Sequence, residues 1–200
     1  MLTCSRIDRF AAAHRYGALI HEVLANGRPL PGPARRRIAG HELQSIVGNA
    51  LALIRRIELS GEASSPAVAA LAGRLVNAVS KPGFGPLAGA AGLAALGRAR
   101  AAGLPACVGL EAAVDHAAHA VTAAIQANRE AGGPGLIGRG EHRALDTALA
   151  LWFLADASDV SGHGLAVELA RALEAAGPLD PATRSVRATA LAGASTRTAA

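Results

Sequence analysis

Apolar residues recur at helical spacing along most of this chain, and the clearest run is Ala34 to Leu59, ARRRIAGHELQSIVGNALALIRRIEL. On a helix turning about 100° per residue, Leu43, Ile46, Val47, Ala50, Leu53, Ile54 and Ile57 share one arc of roughly 120°. His41 points away from that arc, with Gln44, Ser45, Gly48, Arg55 and Arg56 on its side. The pattern therefore predicts a long amphipathic helix holding one imidazole toward solvent.

Upstream, Ser5 to Ala25 reads as a first helix stopped by Asn26 and Gly27. The prolines of Arg28 to Pro33 break the chain, and Pro33 suits the first position of the helix that follows. After Ser60 a short connection ends in Ser65 as N-cap and Pro66 at the first helical position, and Val68, Leu71, Leu75 and Val79 continue at helical spacing. Two such helices form an antiparallel hairpin whose stripes are half covered, so pairing with a second copy into a four-helix bundle is expected.

Pro82 to Gly97, PGFGPLAGAAGLAALG, shifts to glycine, proline and small residues and is read as a domain boundary. Leu104 to Leu110 reads as a short strand or the lead-in to a helix, Glu111 to Arg129 as a helix, and Ala131 to Gly140 as a glycine-rich loop. Asp146 to Ala155, DTALALWFLA, fits a buried strand or a helix equally well. Leu165 to Ala176 is a helix stopped by Gly177 and Pro178, Ser185 to Ala192 alternates weakly as a last strand, and the C-terminal residues read as frayed. The division expected is an N-terminal helix over 1–30, a helical hairpin over 31–82 and a further domain over 98–200.

Composition narrows the function classes. Hydrophobic residues make up 51% and aromatics only 2%, which calls for a core of thin, closely approaching helices. The net charge of +5 is spread along the chain without interleaved aromatics, so nucleic acid is not expected as a partner. Lys81 is the one lysine among 20 basic residues. Cys4 and Cys107 lack metal spacing and read as reduced thiols. No apolar window approaches the ~18 residues of a membrane span, and the charged N-terminal stretch does not read as a signal peptide. A soluble cytoplasmic protein without membrane contact is the expectation. Walker-type loops, nucleophile elbows and zinc spacings are absent from the sequence.

Three fragments carry chemistry. The first, HELQSIVGNALALI from His41, resembles the H-box of bacterial histidine kinases and histidine phosphotransferases, although Gln44-Ser45-Ile46 departs from that motif. The chemistry needs a solvent-facing imidazole, an acid such as Glu42 beside it and space for a partner's aspartate. The second, Glu111, Asp115 and His119 on one helical face, is similar to the N-box of the same superfamily, with Asp115 where an asparagine would hold Mg²⁺. Such a row is also a possible metal site or an ordinary solvated face. The third, Gly162-His163-Gly164 opening a helix, looks like the second glycine box, where backbone N–H groups cradle phosphate. Asp156 stands where the family's adenine-reading aspartate follows a strand, but too close to Gly162 to leave room for the usual first glycine box and lid.

Taken in order, the fragments resemble a histidine phosphotransferase of the ChpT type, a kinase-like dimer with a degenerate ATP-binding domain. The resemblance implies an α+β chain: a helical hairpin forming a dimeric four-helix bundle, then a small degenerate kinase-type α/β sandwich. It implies that His41, assisted by Glu42, passes phosphate between response-regulator receiver domains in two-component signalling. Arg36, Arg37, Gln44, Ser45, Gly48 and Arg55 would meet the receiver, Arg56 adding to the basic surface. Glu111, Asp115, His119, Asp156, Gly162 and Gly164 would be the degenerate nucleotide site. No cofactor or metal of its own is implied, since the receiver carries Mg²⁺. A small histidine kinase with an atypical ATP site, using ATP and Mg²⁺, is one alternative. An all-α scaffold or regulatory dimer without catalysis is the other, and it gains if Asp146 to Ala155 and Ser185 to Ala192 prove helical.

Overall fold

The computed structural model describes residues 46–60, 65–104, 108–138, 140–155 and 160–195. Among them are seven α-helices and no strand: α1 (Ile46–Ser60), α2 (Pro66–Val79), α3 (Pro86–Ala101), α4 (Leu110–Glu130), α5 (Arg143–Leu154), α6 (Val160–Ala175) and α7 (Pro181–Ser195). The all-α alternative is thus the architecture seen. The first predicted helix, Ser5 to Ala25, lies outside the described residues.

Local chemistry fixes the ends of these helices. Ser65 caps α2, its Oγ accepting from the Val68 N–H at 3.2 Å, and Pro66 opens the helix as its spacing predicts. Proline also opens α3 and α7, at Pro86 and Pro181. Glycine in the left-handed region precedes α4 at Gly109 (φ +84°) and follows its end at Gly132 (φ +78°).

Close contacts set the directions. Gly92 on α3 lies against Val79 at the end of α2 and Ile46 at the start of α1. Arg98, late in α3, pairs with Glu58, late in α1, so those two helices run parallel with α2 reversed between them. Gly89 lies against Ala117 and Ala120, whereas Arg100 reaches back to Glu111, so α4 runs antiparallel to α3. The first four helices thus alternate up and down, and α5 lies against α3 while α6 and α7 cover α5.

Two helices are buried almost all round. In α3 every residue from Leu87 to Gly97 is buried: Ala, Gly and Leu fill the whole circumference. In α5 the run Leu145 to Leu154 is likewise buried, with Trp152 and Phe153 meeting edge to face. Small side chains let the neighbours of α3 approach closely, and this is how a core with so few aromatics reaches close packing.

Several expectations change. Pro82 to Gly97, read as a domain boundary, instead leads into and forms most of the central helix. A continuous core runs from Ile46 through α3 to Val186 and Ala190. Glycine and alanine look like loop composition in isolation, yet they are what a helix surrounded by other helices needs. Asp146 to Ala155 belongs to α5, and Ser185 to Ala192 lies within α7, so neither is a strand. The α/β sandwich expected over 98–200 is therefore replaced, in the described residues, by helices. Each of these segments had too short a run for periodicity to separate strand from helix, and packing decides.

Candidate functional site

Of the expected phosphotransfer site, Arg36, Arg37, His41, Glu42, Gln44 and Ser45 lie outside the described residues. Gly48 and Arg55 are on α1. Val47, Ala50, Leu53 and Ile54 are buried as the helical arc predicts, but so are Gly48, Asn49, Leu51 and Ala52. Gly48, expected on the open face, is enclosed by this chain. Arg55 is half-buried with its Nη1 3.7 Å from Glu58, and Arg56 is exposed. The stripe for which a second copy seemed necessary is already covered within one chain.

Of the residues expected at a nucleotide site, the described ones lie on α4 and α6. Glu111, Asp115 and His119 form an exposed row on α4, and Glu111 pairs with Arg100 at 3.1 Å. Asp156 lies outside the described residues. Gly162 and Gly164 are inside α6 rather than in a loop before it, Gly162 buried and Gly164 exposed. An Arg129–Glu168 ion pair holds α6 against the far end of α4, five turns and about 27 Å along the helix from Glu111. The guanidinium of Arg129, hydrogen-bonded to Glu168, lowers that carboxyl below the usual glutamate range, while partial desolvation opposes it and Arg171 adds to the lowering. No group of three or more metal-ligating side chains occurs among the described residues.

The polar centre that the structure does build is elsewhere, around the loop from Ala131 to Gly140. The last turn of α4 presents Asn128, whose Oδ1 accepts from the N–H groups of Gly135 (2.8 Å) and Leu136 (2.9 Å). Its own carbonyl accepts from Gly133 at 2.8 Å. From the other side Thr147 of α5, fully buried, accepts from the Ile137 N–H at 2.9 Å and donates to the Arg143 carbonyl at 2.7 Å. Asp146 beside it is 2% exposed and packs against Gly138. Gly132, Gly135, Gly138 and Gly140 all have positive φ, between 63° and 99°, which lets successive N–H groups turn inward.

Chemically this is a folded loop bolted to two helices. Consecutive N–H groups of the kind that bind anions are saturated here by Asn128 and Thr147 of the same chain. Sequence reading found the loop from its glycines but missed both bolts. Asn128 and Thr147 sit within apolar helical patterns, and only the loop's need for acceptors marks them out.

Comparison of the chain with protein-family models, with curated proteins and with solved structures finds no match. Among the described residues no helix is long and apolar enough to cross a membrane.

Proposed function

We propose that the chain is an all-helical regulatory scaffold, a module that presents helix faces to other macromolecules and does not use a kinase-type nucleotide site. The observation that carries this reading is the helical state of Asp146 to Ala155 and Ser185 to Ala192. A nucleotide-binding sandwich would need strands there, and both segments instead bury one or more faces in a helical core. The solvated row of Glu111, Asp115 and His119 and the placement of Gly162 within a helix support it.

Phosphotransfer through His41 between receiver aspartates is a second reading, favoured by one observation. Ile46 to Ile54, the larger part of the H-box-like stretch, lies in a helix with Val47, Ala50, Leu53 and Ile54 buried. In that reading Glu42 assists, receivers are the partners, and the chain needs no nucleotide, so it does not depend on a sandwich. A cytoplasmic location belongs to both proposals.

A phosphorylated receiver domain mixed with the wild type and with His41→Ala separates them. The scaffold reading expects no acid-labile phosphate on either protein, and none from γ-labelled ATP. Label on the wild type that disappears in His41→Ala would overturn it in favour of phosphotransfer. Label from ATP without a partner would establish a kinase.

A further inference from the structure

We draw no further inference here: the strongest candidate, the glycine-rich loop from Ala131 to Gly140 beside the buried Asp146, already has its inward N–H groups of Gly135, Leu136 and Ile137 taken by Asn128 and Thr147, and nothing in the structure points to a ligand there.

Discussion

The backbone of Gly138 lies directly against the carboxyl of Asp146: a Cβ on the glycine would stand 2.6 Å from Oδ2 and 3.0 Å from the aspartate Cβ. Gly138 also has φ of +90°, where an L side chain is strained. Gly138→Ala thus meets two obstacles at once, a clash with a buried side chain and an unfavourable dihedral. We expect a loss of about 3 kcal/mol, from strain of roughly 1–2 kcal/mol and a packing cost of similar size. Urea denaturation measures it. Gly140→Ala is the control for strain alone, because Gly140 has φ of +63° but nothing within 4 Å of its Cβ position. Equal losses in the two variants would show that the Asp146 contact is unimportant.

Thr147 is the second bolt, and its hydroxyl can be separated from its shape. Thr147→Val keeps the volume but leaves the buried Ile137 N–H without its acceptor, at a cost of about 1–3 kcal/mol. Thr147→Ser keeps the acceptor and removes one methyl, worth about 1 kcal/mol. Stability alone could rank the two similarly. Amide hydrogen exchange at Ile137 distinguishes them: it should accelerate in Thr147→Val and remain protected in Thr147→Ser. Undiminished protection with valine would remove Thr147 from the account.

Glycines within the helices have opposite roles. Gly89 on α3 lies where a Cβ would be 3.0 Å from the Ala117 carbonyl oxygen and 3.3 Å from the Phe84 ring. The backbone of α4 cannot yield as a side chain can, so Gly89→Ala should push α3 from α4 and destabilise by about 1–3 kcal/mol despite alanine's better helix propensity. Gly73, exposed on α2, has nothing within 4 Å, and Gly73→Ala should stabilise by about 0.5–1 kcal/mol. Thermal unfolding of the two variants should therefore shift in opposite directions. A higher midpoint for Gly89→Ala would contradict the close approach of α3 and α4.

How far these features were legible in the sequence follows from their range. Ser65 and Pro66 announce the start of α2 because a cap acts within one turn. The buried arc of Val47, Ala50, Leu53 and Ile54 follows from period alone. By contrast, α3 reads as a boundary because its glycines and alanines carry no amphipathic pattern, and their meaning depends on helices distant in sequence. The state of DTALALWFLA was open for the same reason: a segment buried on every side has no polar face to reveal its period. The candidate motifs fared as isolated fragments do. Glu111, Asp115 and His119 have the spacing of one helix face, but spacing cannot say whether that face meets a ligand or water.

Asp180 provides the pH-dependent prediction. It precedes α7, where its Oδ1 accepts from the N–H groups of Ala182 (2.9 Å) and Thr183 (3.1 Å) and its Oδ2 accepts from the Thr183 hydroxyl. The Thr183 hydroxyl, with the backbone donors of Thr183 and Ala182, holds the carboxyl below the ordinary aspartate value of 3.8 against some desolvation. Because the folded value is depressed, this group's stabilisation is fully present above the unfolded value and is lost as pH falls through it toward the folded one. Asp180→Ala should cost about 1 kcal/mol at neutral pH, as loss of an N-cap usually does. The difference from wild type should shrink as pH falls below the ordinary aspartate value of 3.8 toward the lower folded-state value. Glu168, lowered by Arg129, titrates in the same direction, but it is present in both proteins and cancels in the difference. Asp180→Asn retains an acceptor for the helix N–H groups without titrating, so its stability should fall less steeply with acid than that of the wild type. Unfolding free energies at several pH values test this, and a wild-type to Asp180→Ala difference that stays constant into acid would show that the Asp180 charge contributes nothing to the cap.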